Sequence, residues 1–257
     1  MNNMIQTTNR IKLDGIVAES PLQGVGGIQA TNLTKTYNDI TVLNIPSIEI
    51  ANGESFGLVG NNGAGKTTFF RLILDLIEAT SGEVTIDGQS VARRDEWKTN
   101  VGSFLDEGFL IDFLTPEEFF DFTGKMYGKS VGDIADFLAT MHDFFNGEIL
   151  GSKKLIRDLS KGNQKKVGIV AALLSDPKIL ILDEPFTALD PSSQIRLKRM
   201  LSEWQASRNS TMLISSHDLL HVTEVCRRTV VLEKGLIVRD IQTNEDTLRE
   251  LERYFAV

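Results

Sequence analysis

Apolar residues are grouped in two ways along the chain. Short, almost unbroken apolar runs recur at residues 55–60 (SFGLVG), 101–105 (VGSFL), 178–185 (KILILDEP) and 211–217 (TMLISSH). Their length and composition predict strands. KILILDEP stays apolar until it ends in two acids, which places it at the centre of a parallel sheet with both faces covered. Between and after these runs, apolar residues are spaced at helical intervals. This happens after GNNGAG from residue 66, from Ser160 onward, from Pro191 to about Arg208, around residues 219–227, and over the C-terminal NEDTLRELERYF. Two mixed stretches at 28–37 and 41–50 and the turn-bounded GEVTIDG at 82–88 predict further strands. TVVLEKGLIVRD reads as a hairpin turning at Lys234-Gly235.

Between VGSFL and Ser160 the pattern changes. LTPEEFFDFTGKMYG and VGDIADFLATMHDFF are helical in spacing and rich in phenylalanine. Thr115-Pro116-Glu117-Glu118 offers a capping box with proline at the first helical position. Strand and helix alternate on both sides of this block. The prediction is an α/β fold: a mostly parallel sheet with flanking helices, an additional antiparallel β piece, and an inserted helical subdomain over about residues 106–165. PLQGVGG at 21–27 reads as a flexible joint, so residues 1–27 are expected to form an extension ahead of a domain spanning 28–257.

Composition narrows the function classes. The 257 residues are 41% hydrophobic and 24% charged, ordinary for a globular chain. A net charge of −8 lacks the basic footprint of nucleic-acid binding and argues against docking on anionic lipid. The single cysteine, Cys226, allows neither an internal disulfide nor a cysteine metal cluster, and fits a reducing cytoplasm. No apolar run reaches the roughly 18 residues of a membrane span, and the N-terminus has no apolar signal-peptide core, so neither insertion nor secretion is expected.

The chemistry lies in short motifs at strand ends. GNNGAGKT, Gly60-Asn61-Asn62-Gly63-Ala64-Gly65-Lys66-Thr67, fits G-x-x-x-x-G-K-[ST] between an apolar strand and a helix, with Thr68 next in line. Its glycines let backbone N–H groups turn toward phosphate, Lys66 adds a point charge, and the Thr67 hydroxyl suits Mg²⁺. Asp183 ends a buried strand, where it can hold Mg²⁺ through water, and Glu184 beside it suits a general base. Of the three histidines, only His217 ends an apolar strand. A third element is LSKGNQKKVG at 159–168, where Ser160 reads as a helix N-cap.

Taken in order, the P-loop, LSKGNQ, LDEP, ALD and SSH resemble the ATPase domain of ABC transporters, over about residues 28–240. The family's Leu-Ser-Gly-Gly-Gln signature reads here Leu159-Ser160-Lys161-Gly162-Asn163-Gln164. Lys161 at the first glycine is common among drug- and antibiotic-type exporter ATPases. The resemblance implies a P-loop NTPase core with ATP and Mg²⁺ as cofactors. It also implies head-to-tail pairing with a second copy or a paired ATPase subunit, the two closing on two ATP. Ser160, Gly162 and Gln164 of one chain then face the nucleotide on the P-loop of the other. It gives Tyr37 the role of stacking on adenine, against the simpler reading of a half-buried strand tyrosine. Asp190, a good cap before Pro191, falls in the loop that crosses the dimer interface, and His217 contacts the γ-phosphate.

Where the family usually has glutamine after its VGSFL-like strand, this chain has Asp106, either a Mg²⁺ ligand or a simple loop acid. The phenylalanine-rich subdomain is expected to take a short helix of a transmembrane permease. The expectation is a cytoplasmic ATP hydrolase on the inner face of the membrane that powers a separate permease, in export. The alternatives are a soluble ABC ATPase acting in assembly and a regulatory switch that binds ATP without turnover.

Overall fold

The computed structural model describes residues 26–256; the expected extension therefore lies, except for its last two residues, outside the described part. The chain runs β1 (Gly27–Tyr37), β2 (Ile40–Ala51), β3 (Ser55–Val59), α1 (Lys66–Ile73), β4 (Ser81–Ile86), β5 (Gln89–Ser90) and β6 (Val101–Phe104). Then come α2 (Pro116–Met126), α3 (Val131–Thr140), α4 (His142–Phe145), α5 (Lys161–Leu174), β7 (Ile179–Leu182) and α6 (Pro191–Arg208). The last elements are β8 (Thr211–Ser216), α7 (Leu219–Val225), β9 (Arg228–Glu233), β10 (Leu236–Gln242) and α8 (Thr247–Phe255).

Two sheets form, as the mixed and apolar strand patterns predicted. A four-stranded sheet in the order β2-β1-β4-β5 is antiparallel throughout. A six-stranded sheet in the order β10-β9-β3-β8-β7-β6 is parallel except for the edge strand β10. The unbroken apolar runs are explained by two cores on its two faces. Because successive side chains alternate, Ile179 and Ile181 of β7 join α1 and the antiparallel sheet, while Leu180 and Leu182 join the helices around α5. Phe69, Phe70 and Ile73 of α1 fill the first core together with Leu33, Ile45 and Ile50.

Local signals hold where they were read. Thr115 and Glu118 cap α2 reciprocally, with Pro116 opening the helix. Ser130 and Asp133 do the same for α3. The β9–β10 hairpin turns at Lys234 (φ 48°) and Gly235 (φ 78°), the pair of left-handed residues of a tight hairpin turn. That turn abuts the loop ahead of α1, with the Gly235 N–H donating to the Ala64 carbonyl.

Candidate functional site

The strand order decides where chemistry can gather. β3, β8, β7 and β6 are neighbours and parallel, so the loops that follow them emerge side by side at one edge. In open α/β sheets this carboxyl edge is where ligands bind. The loop after β3 carries residues 60–65, that after β7 begins with Asp183 and Glu184, that after β8 carries His217, and that after β6 carries Asp106 and Glu107.

Gly63 (φ 81°) and Gly65 (φ 109°) hold the left-handed backbone that curls the loop ahead of α1. Asn61, Asn62 and Gly63 are exposed, while Ala64 is buried beneath them. Lys66 is 6% exposed; its ammonium donates to the Gly60 carbonyl at 2.6 Å and lies 3.2 Å from Glu184 Oε1. Thr67 Oγ1 donates to Asp183 Oδ2, and Ser215 Oγ donates to Asp183 Oδ1. Burial pushes the Asp183 carboxyl above its ordinary range, against the pull of these two hydroxyls. His217 Nδ1 lies 2.8 Å from Glu184 Oε2. Lys66, Thr67, Asp183, Glu184 and His217 thus form one contact chain, and Thr68 follows in α1, half-buried.

These residues suit a triphosphate and Mg²⁺. The exposed turn offers N–H groups and the dipole of α1 to an anion. Glu184 Oε1 is buried and makes no hydrogen bond but faces the Lys66 ammonium at 3.2 Å, and that ammonium rests otherwise on main-chain carbonyls. An incoming phosphate would compete with Glu184 for Lys66. No group of three or more His, Cys, Asp or Glu side chains converges among the described residues. A cation held by Thr67 and Asp183 draws its other ligands from phosphate and water, the usual arrangement for Mg²⁺.

The remaining expected residues divide. Ser160 is exposed and caps α5, its Oγ accepting from the Asn163 N–H at 3.2 Å. Gly162 is pressed against the loop after β7: a Cβ there would lie 2.7 Å from the Ala188 carbonyl oxygen. Asp190 caps α6, and bonds from Ser192, Ser193 and the Ser193 N–H hold its carboxyl well below the usual range. Tyr37 is 46% exposed with the Lys35 ammonium 4.7 Å from its ring centroid, so it is a surface tyrosine rather than a half-buried one.

Gln164 is brought elsewhere. It is 8% exposed, and its amide donates to the carbonyls of Ile156 and Leu159 while Lys161 Nζ reaches its Oε1. Its side chain braces the turn ahead of α5 and does not face the open surface, because α5 turns that position inward. Asp106 is also engaged locally: Oδ1 accepts from the Gly108 N–H at 2.8 Å and Oδ2 lies 3.5 Å from Arg71 Nη2.

Sequence reasoning missed two groups. Ser215 braces both Asp183 and the Glu184 N–H, the latter at 2.9 Å. Lys165 is 5% exposed and reaches the Glu184 carbonyl at 2.9 Å. For Lys165, a signal existed in the charge that opens an otherwise buried helix.

A family model described as "ABC transporter" matches residues 43–187. The bacitracin transport ATP-binding protein BcrA of Bacillus licheniformis is 30% identical over 83% of this chain and 69% of its own length. The methionine import ATP-binding protein MetN of Carboxydothermus hydrogenoformans is 30% identical over 81% of this chain and 64% of its own. An uncharacterized ABC transporter ATP-binding protein of Synechocystis, sll0415, is 33% identical over 74% of this chain; the match spans about half, 53%, of its length. A solved ATP-binding subunit of an ABC transporter superposes with a TM-score of 0.75 at 28% identity, covering 90% of this chain and 93% of that one. The dimeric ATP-binding cassette MJ0796 bound to ADP and Pi shares the fold, with a TM-score of 0.74 at 24% identity over 84% of this chain and 99% of that one.

Proposed function

The chain belongs to the ABC transporter ATP-binding family, and from that premise we propose that it hydrolyses ATP with Mg²⁺ between two paired subunits to drive a separate membrane permease. The observation that carries the reading is the contact chain Lys66–Glu184–His217 beside Thr67–Asp183 at the carboxyl edge of the sheet. In this reading Lys66 and the N–H groups of residues 60–65 bind the β- and γ-phosphates. Thr67 and Asp183 would hold Mg²⁺, which would supply charge neutralisation at the phosphates. Glu184 accepts the proton of the attacking water, and His217 orients its carboxylate and faces the γ-phosphate. Tyr37 stacks on adenine. Lys66 leaves Glu184 for phosphate when ATP arrives, which frees the carboxylate for water.

Ser160 and Gly162 serve the nucleotide of the partner copy. Ser160 is exposed and Gly162 half-buried at the start of α5, whose dipole favours an anion. Asp190 sets the start of α6 beside them. Asp106 becomes a Mg²⁺ ligand only by leaving Arg71. Replacing Glu184 with Gln should lower phosphate release about 10²–10⁴-fold, the range of a positioned general base. Unchanged turnover in a phosphate-release assay would remove Glu184 from that role.

The permease is assigned a cleft lined by Leu76, Trp97, Leu105, Phe109 and Tyr127, in which Leu76, Phe109 and Tyr127 are 48%, 54% and 40% exposed. Apolar rings around a groove suit an incoming helix. The cleft includes Ser103 and Leu105, so its occupant touches the segment that continues into Asp106. No helix among the described residues is long and apolar enough to cross a membrane. In this reading the permease holds the chain at the inner membrane face. Export is favoured by Lys161 and by the likeness to a bacitracin transport protein; the likeness to a methionine import protein supports the opposite direction. Co-purification of a multi-span protein from detergent-solubilised membranes checks the partner, and its absence favours a soluble assembly role. The helical piece at 106–165 contributes Phe109 and Tyr127 to the docking cleft, and residues 74–76 and 97–105 form the rest.

A further inference from the structure

Glu184 has a left-handed backbone, with φ at 48°. For a residue with a side chain, such a conformation is strained and persists only when its surroundings enforce it. Here the enforcement is visible at both ends of the residue. Its N–H donates to Ser215 Oγ at 2.9 Å. Its carbonyl accepts from Thr187 Oγ1 at 2.8 Å and from Lys165 Nζ at 2.9 Å.

Lys165 does more than meet that carbonyl. Its ammonium also donates to Thr187 Oγ1 at 3.0 Å, lies 3.6 Å from the Glu107 carboxylate, and sits 5.7 Å from the Phe104 ring centroid. One side chain on α5 therefore reaches the loop after β7 and the segment after β6. A lysine at 5% exposure is expensive to bury. Burial pulls its pKa down, opposed chiefly by Glu107. An apolar residue would satisfy α5 as a packing element, so the charge needs another reason.

We propose that Lys165 is a positioning residue for the Glu184 carboxylate. It holds the left-handed peptide that aims the carboxylate, and through Glu107 it ties that peptide to the segment leading from β6 toward the docking cleft. The inference rests on the reading of Glu184 as the base. Without the ammonium, the peptide carbonyl keeps only Thr187, the strained conformation relaxes, and the carboxylate leaves its aim.

The test uses the full chain and steady-state phosphate release. Lys165→Met keeps the length and removes the donors. The expected result is a kcat about 10- to 100-fold lower, part of the 10²–10⁴ of a positioned base, with KM for ATP within about twofold. Lys165→Gln, which restores a donor, recovers part of the loss. In a Glu184→Gln background, Lys165→Met lowers the residual rate no further, because no base remains to be aimed. If Lys165→Met does not fold, pairing it with Glu107→Gln removes the stranded acid, and Lys165→Gln carries the comparison. Wild-type kcat in a folded Lys165→Met chain overturns the inference, as does an equal loss in the Glu184→Gln background. A wild-type chain that releases no phosphate, or a Glu184→Gln chain that releases it at the wild-type rate, overturns the base reading first and this inference with it.

Discussion

Asp183 is a buried acid whose charge burial penalises. It is 4% exposed and lies between two hydroxyls, and burial raises its pKa above the ordinary 3.8. The folded state therefore holds this proton longer than the unfolded chain does. The stability contributed by the protonated form is present below the ordinary value and is lost as pH rises through the folded value. Asp183→Asn escapes that loss. The variant should melt higher than wild type at neutral pH. The gap should vanish in acid and open with rising pH, and Mg²⁺ with ATP should raise the wild-type melting point more than the variant's. Melting curves across pH check this; a variant less stable than wild type at neutral pH contradicts it.

The same scale separates what was legible in the sequence from what was not. Lys66, Thr67, Asp183, Glu184 and His217 are brought together because each sits within a residue or two of a strand or helix end, where local spacing fixes direction. Gln164 is expected at the nucleotide, but the turn of α5 points its amide back at Ile156 and Leu159. Lys165 carries no role readable from the sequence. Its target lies 19 residues further on, and no local pattern reports where a long side chain ends.

At the scale of elements, the two sheets are joined by apolar packing around α1 and by one buried cation. Arg228 of β9 pairs with both oxygens of Asp240 on β10 at 2.7 Å, and its Nη1 donates to the Glu49 carbonyl on β2 at 2.7 Å and lies 3.1 Å from Glu54. Arg228→Met should cost about 3 kcal/mol, typical of breaking a buried pair from one side. It should appear as a lower urea midpoint with an unchanged slope. A shift under about 0.5 kcal/mol would mean that the sheets are held without Arg228, by apolar packing and main-chain bonds such as Asn44 N–H to the Gly235 carbonyl. Strands, caps and the hairpin at Lys234-Gly235 were readable because their signals are local. The order β10-β9-β3-β8-β7-β6 was not, since it depends on pairings between distant segments. That order is what sets the loops bearing Lys66, Asp183, His217 and Asp106 side by side.

At the scale of the molecule, the chain carries two functional surfaces that do not meet each other's needs. The P-loop, Asp183, Glu184 and His217 lie together at the carboxyl edge of the sheet, with Thr67 on Asp183 and His217 beside Glu184; in the proposed function they bind and hydrolyse ATP. Ser160 caps the exposed start of a fourteen-residue helix. In the proposed function, a second copy turned head to tail brings its nucleotide to that start. Pairing is therefore part of the catalytic claim, and a chain that binds ATP as a monomer lacks half of each site. The central test is sedimentation velocity of the Glu184→Gln variant with and without Mg²⁺ and ATP. Slowed hydrolysis should hold the closed state, so the account predicts a monomer without nucleotide and a dimer with it. A variant that stays monomeric at saturating Mg²⁺ and ATP, or is equally dimeric without them, would contradict the account.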